Sequence, residues 1–91
     1  MNERYRLMLA PSAARALENR LKPSAAFALF EFMNTVICDA PRRLGKPLTE
    51  PFDGFFSARR GAYRVIYQVD EQARTVEVTY LGHRADIYRS R

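Results

Sequence analysis

Two runs, Ser57 to Tyr67 and Val76 to Tyr88, limit most what this chain can fold into, because apolar and polar residues alternate along both at period two. Successive side chains of a strand point to opposite faces, so this alternation marks strands with one buried and one open face. Gly61-Ala62 divides the first run and Asp70-Glu71-Gln72 separates it from the second, which predicts antiparallel strands joined by hairpins. Tyr63, Val65, Tyr67 and Val69 then share one face and leave Arg64, Ile66 and Gln68 on the other. Setting Val69 opposite Val76 puts Tyr67 against Val78 and Val65 against Tyr80. On that register Arg64, Thr79, Leu81 and His83 gather on the opposite face, where a guanidinium and an imidazole would suit a phosphate. A slip of one residue reverses the assignment.

The preceding half of the chain reads as one strand and two helices. Tyr5 to Leu9 alternates, with Tyr5, Leu7 and Leu9 on one side and Arg4, Arg6 and Met8 on the other. Pro11 ends that strand, and Ser12 is the expected N-cap of a helix carrying Ala14, Leu17 and Leu21 at helical spacing. Lys22-Pro23-Ser24 breaks it, with Ser24 expected to cap a second helix from Ala25 to about Asp39. Leu29, Phe32, Met33 and Val36 make that helix's stripe, widened by Ala26, Phe27, Phe30 and Ile37. Two helices packed on each other and on one sheet face account for this surplus better than an exposed partner groove. Residues 40–54 hold three prolines and two glycines and are expected as a loop. That stretch also carries Arg42, Arg43 and Lys46, which would extend a basic track for a polynucleotide backbone.

Phe55 to Arg60 and Val76 to Gly82 complete the strands. The expected architecture is α+β: an N-terminal strand, a two-helix hairpin, then antiparallel strands, with the helices on one face of the sheet. At 91 residues the chain suits a single domain, 1–91, with one modest core. Its formal charge is +5 and thirteen of its fifteen basic residues are arginine, the side chain that meets phosphate in bidentate fashion. That balance fits a nucleic-acid partner and plain solubility equally. Cys38 is the single cysteine and His83 the single histidine, which excludes an internal disulfide and argues against a zinc site of the usual ligands. The longest apolar stretch, Ala25 to Phe30, is far short of a bilayer, and the first residues lack a signal peptide's apolar core. A cytoplasmic protein with no membrane partner is expected.

Three segments resemble the RelE/ParE superfamily of bacterial toxins, on the RelE side: Leu44-Gly45-Lys46-Pro47-Leu48, Ser57 through Tyr67, and His83-Arg84-Ala85-Asp86-Ile87-Tyr88-Arg89. The resemblance in element order covers the whole chain, and the specific residues lie from about position 44 onward. It implies the toxin of a toxin-antitoxin pair, which enters the ribosomal A site and cuts mRNA there. In such toxins the ribose 2′-hydroxyl attacks the adjacent phosphate, with no metal or other cofactor. The implied partners are a cognate antitoxin, the ribosome and its mRNA, and operator DNA only through the antitoxin complex. The family's strand arginine matches Arg64, the arginine after its last strand matches Arg84, and its C-terminal tyrosine matches Tyr88. Two family lysines, one the general base, fall near Phe55 and Ser57, and neither of those residues can do that work.

The residues themselves support an electrostatic mechanism with acid-base help. Arg59 or Arg60, Arg64 and Arg84 would hold the phosphate and stabilise the charge that builds on it. His83 would take the hydroxyl's proton or protonate the leaving oxygen, replacing the missing lysine, and Tyr88 would stack on a base or supply a proton. Arg42, Arg43 and Lys46 would contact RNA without catalysing anything, or only solubilise the loop. Two other functions remain compatible: a ParE-like inhibitor of DNA gyrase on the same fold, and a non-catalytic nucleic-acid-binding module.

Overall fold

In the computed structural model, which describes residues 4–83, five strands form one sheet in the order β1-β5-β4-β3-β2. They are β1 Arg6–Leu9, β2 Lys46–Pro47, β3 Phe55–Arg60, β4 Tyr63–Asp70 and β5 Thr75–His83. β1 runs parallel to β5, and the remaining neighbours pair antiparallel. Between β1 and β2 lie α1, Pro11–Arg15, which widens into π-helical turns over Ala16–Arg20, then α2, Pro23–Glu31, which does the same over Phe32–Ile37, and the short α3, Pro41–Leu44. This is the expected α+β arrangement. α3 and β2 both lie in the stretch expected as a loop.

The helix starts differ from the expectation for a simple reason. Pro11 and Pro23 take the first helical positions, and Ala10 and Lys22 are the caps, without any side-chain capping bond. Proline fits there because its fixed φ is already helical and the amide it lacks would have had no partner. Ser12 is therefore inside the helix, where its hydroxyl donates to the Thr79 carbonyl at 3.2 Å and ties α1 to β5. Ala13 and Ala16 form the buried face of the first helix, with Leu17 and Leu21 half-buried beside them.

Leu29, Met33 and Ile37 are the buried stripe of the second helix. Their spacing of four residues stays on one line because the π turns bond i to i+5 and so advance more residues per turn than an α-helix. Val36, expected in that stripe, is rotated to solvent, and Phe27 and Phe30 are exposed as well. The core on the sheet side is Val65, Tyr67, Val76, Val78 and Leu81, with Phe56 and Ala58 from β3. Burying one such large side chain contributes about 1.5–3 kcal/mol. A register slip that exchanged these residues for Arg64, Ile66 and Gln68 would forfeit several of those contributions together, which fixes the faces of β4.

The register of β4 on β5 holds as expected at Val69↔Val76 and Tyr67↔Val78, then shifts between Ile66 and Tyr67. Thr79 is the extra residue, and its hydroxyl donates to the Ile66 carbonyl at 3.3 Å. Beyond this bulge the pairs are Ile66↔Tyr80, Val65↔Leu81, Arg64↔Gly82 and Tyr63↔His83. One inserted residue reverses the alternation of everything after it. Leu81 thus enters the core at 2% exposure, and His83 lands on the face of Tyr63, their rings 5.7 Å apart edge to face. The expected meeting of Arg64, Leu81 and His83 on one open face does not occur.

Candidate active site

The open face is basic where β2, β3 and β4 lie side by side. β3 and β4 are joined through Gly61, whose φ of 61° suits a residue without Cβ. Strand pairing sets Arg59 directly across from Arg64, and Lys46 across from Ser57. Like charges directly opposite one another destabilise a sheet, so the two arginines cost stability unless something anionic lies over them. With Leu44, Ser57 and Ala58 they line a hollow of about 380 Å³ that also contains Lys46. That volume accommodates a phosphodiester and leaves room for part of its sugars.

Arg64 is the innermost of the three cations. Its Nη1 donates to Ser57 Oγ at 3.3 Å, and Ser57 is itself 9% exposed. Its Nε is buried and has no hydrogen-bond partner among the described residues. A buried donor left unpaired costs about 1–3 kcal/mol, and more when charged, so a turn of the guanidinium that brings Nε to an acceptor in the hollow would relieve that cost. A phosphate oxygen is such an acceptor, and a guanidinium presents Nε and Nη to it as a fork.

Lys46 is delivered to the hollow by a corner that the core holds in place. Tyr67, fully buried in β4, donates its hydroxyl to the Pro41 carbonyl at 2.6 Å and so anchors α3 from below. Burial pushes the Tyr67 hydroxyl up to about 12. Gly45 lies directly over it: a Cβ at position 45 would stand 2.2 Å from the Tyr67 oxygen. Pro47 follows Lys46 in β2, an edge strand, where a residue without an amide hydrogen is tolerated.

The other cations expected at the site are elsewhere. Arg60 pairs with Tyr63 and faces the helix side, bordering a hollow lined by Phe27, Phe32 and Val36. Arg42 Nε donates to Glu71 Oε2 at 2.5 Å, and its guanidinium stands 5.5 Å from the Phe56 ring. Arg42's hydrogen bond, and after it that of Tyr5, holds the Glu71 carboxyl below its usual range. Arg43 is exposed on α3. His83, across the sheet from Arg64, borders a separate hollow with Arg20, Leu21 and Tyr63. Arg84 and Tyr88 lie outside the described residues. A larger hollow of about 500 Å³ is lined by Asp70, Glu71 and Glu77 and would repel a phosphate. Sequence reasoning missed Ser57 as the support of Arg64, and it gave Lys46 to a loop. Lys-Pro directly after a glycine, ahead of an alternating strand, was the available sign of a short edge strand.

A small α+β domain with helices on one sheet face and a basic hollow on the other has the architecture of the toxins of type II toxin-antitoxin systems. The family model described as ParE toxin of type II toxin-antitoxin system, parDE, matches residues 7–88. Toxin RelG of Mycobacterium tuberculosis is 41% identical over 85 residues, covering 93% of this chain and 97% of the relative. Toxin RelE of the same organism is 40% identical over 85 residues, covering 93% and 87%. Among solved structures, the toxin-antitoxin complex RelBE2 from M. tuberculosis aligns with a TM-score of 0.85 at 38% identity, covering 91% of this chain and 94% of that one. The isolated RelE toxin of E. coli shares the fold, with a TM-score of 0.72 at 21% identity and coverage of 93% and 92%. The chain belongs to the RelE/ParE superfamily and is a toxin of the RelBE type.

Proposed function

We propose that this toxin is a ribosome-dependent endoribonuclease that cuts mRNA in the A site, acting in the cytoplasm and restrained by a cognate antitoxin. The observation that carries the reading is Arg64, whose buried Nε has no hydrogen-bond partner among the described residues, lining one hollow together with Arg59 and Lys46. In this reading the scissile phosphate enters the hollow and accepts from the Arg64 fork, while Arg59 and Lys46 neutralise its remaining oxygens. The ribose 2′-oxygen attacks phosphorus, the bond to the 5′-oxygen breaks, and a cyclic 2′,3′-phosphate and a 5′-hydroxyl result. Negative charge on the non-bridging oxygens grows on the way to the transition state. Cations already in position stabilise it without reorganisation. Arg84 and Tyr88 enter as further contacts on the strength of the family resemblance. His83 is assigned no proton transfer at this phosphate, because it faces the other side of the sheet.

The antitoxin, in this reading, lays an acidic and apolar segment over the toxin and neutralises its arginines. The relatives support such a partner, since similar chains were solved as toxin-antitoxin complexes. Operator DNA would be reached only through that complex.

One observation favours a second reading, a ParE-like inhibitor of DNA gyrase. Among the described residues the hollow contains no imidazole or carboxylate to act as a base, and binding a protein needs none. Primer extension on a reporter mRNA in a translating extract separates the two. The nuclease reading expects ribosome-dependent cuts by the wild type that vanish in Arg64→Ala. An active, toxic wild type that leaves the message whole, and that inhibits supercoiling by gyrase, establishes the second reading instead.

A further inference from the structure

Resting on the nuclease reading, we infer that Lys46 is a catalytic residue, the general acid that protonates the leaving 5′-oxygen. The residues lining the phosphate hollow are Leu44, Lys46, Ser57, Ala58, Arg59 and Arg64. Two of the three cations there are guanidiniums, which do not give up a proton in proteins. Ser57, which accepts a hydrogen bond from Arg64, is an alcohol no more acidic than the 5′-hydroxyl being formed, so it has no advantage as a proton donor. Lys46 is thus the one described group in the hollow that can hand a proton to an alkoxide. An ammonium carries three protons on a flexible stem, so it can follow the departing oxygen.

Its placement fits the task. Ser57 is opposite Lys46 across the β2–β3 pair, so the amine approaches the phosphate from the outer edge while Arg64 holds it from the inner side. Strand β2 is only two residues long, and such a strand would fray without support. The Tyr67 hydroxyl on Pro41 and the close seat of Gly45 on Tyr67 supply that support from the core. Tyr67 is a positioning residue in this scheme.

The step balances. The 2′-hydroxyl's proton passes to solvent as its oxygen bonds to phosphorus. The P–O5′ bond breaks, and the electron pair on O5′ takes a proton from the Lys46 ammonium. The neutral amine then recovers a proton from water.

The test uses the full-length toxin on programmed ribosomes, with two messages that differ only in the scissile linkage: ordinary oxygen, or sulfur in place of the bridging 5′-oxygen. A thiolate leaves without protonation, because a thiol is far more acidic than an alcohol. Lys46→Arg keeps the charge and removes the available proton. The expected result is a loss of about a hundredfold or more in single-turnover cleavage of the oxygen message, the usual worth of general acid catalysis. On the sulfur message Lys46→Arg and wild type cut at the same rate, and both proteins unfold at the same temperature. Wild-type rates from Lys46→Arg on the oxygen message overturn the proposal. So does an equal loss on both messages, which would make Lys46 a phosphate contact only. A wild type that cuts neither message overturns the nuclease reading and the proposal with it, whereas either of the two previous outcomes leaves the nuclease reading standing.

Discussion

Replacing Gly45 by alanine tests the packing that holds the corner of the site. The new Cβ would stand 2.2 Å from the Tyr67 oxygen, 2.9 Å from its Cζ and 3.2 Å from Phe56 Cβ. The ring has nowhere to retreat, since Tyr67 is fully buried and stacked on Phe56 with 5.6 Å between centroids. Overpacking of this kind costs about 1–3 kcal/mol. Displacing the hydroxyl from the Pro41 carbonyl adds a lost buried hydrogen bond, about 1–3 kcal/mol. A total near 3 kcal/mol lowers the melting temperature of a domain of this size by about 12–24 °C. Tyr67→Phe alone should cost about 1–2 kcal/mol, because it leaves the Pro41 carbonyl only the long bond from the Gly45 N–H, at 3.4 Å, without crowding anything. In the Tyr67→Phe background the worst contact is gone, so Gly45→Ala should cost about 1–2 kcal/mol less than it does in wild type. The assay is equilibrium denaturation of the four proteins of the cycle. Additivity within about 0.5 kcal/mol would refute the account of the Gly45–Tyr67 contact.

Other outcomes follow from the same geometry. Arg64→Ala should reduce cleavage by about a hundredfold or more, measured as single-turnover cutting on programmed ribosomes, while the melting temperature holds or rises because the like-charge pair with Arg59 and the buried unpaired Nε are removed. Arg42→Ala should leave cleavage nearly unchanged in the same assay, because Arg42 is engaged by Glu71 away from the hollow. The Tyr67 hydroxyl, raised to about 12 in the folded protein, stays protonated after an unfolded tyrosine, near 10, has ionised. Its contribution is therefore full below about pH 10 and lost as pH rises towards 12, about 2–3 kcal/mol in all. Denaturation midpoints measured across that range should show the fall, and Tyr67→Phe should show less of it.

The strands were legible because alternation over seven or eight residues is a long signal, and the faces of β4 follow from it directly. The pairing of β4 on β5 was legible only as far as Tyr67↔Val78. A bulge leaves no mark in a single sequence when the inserted residue, Thr79, is itself a good strand former. That one residue separates His83 from Arg64, so the histidine was misplaced while Arg64 was not. The helices were visible as apolar periodicity, yet the π turns shift their phase, which is why Val36 looked like core and Ile37 like margin. Lys46 was hidden for another reason: a two-residue strand is too short for any periodicity. Its pairing is set by Tyr67 reaching Pro41 from a strand some twenty residues further along, a tertiary contact with no local signature.

The central claim is that the Arg64 fork binds the scissile phosphate, and the side-chain Nε–H signal of Arg64 reports on it most directly. The full-length toxin, labelled with nitrogen-15, is titrated with a short RNA carrying 2′-deoxyribose at the scissile position, so that it binds without being cut. The account predicts that the Arg64 Nε–H resonance, assigned by its loss in Arg64→Lys, shifts strongly as it comes to donate to a phosphate oxygen. It would be contradicted if the RNA moved the resonances of other arginines and left that of Arg64 where it was.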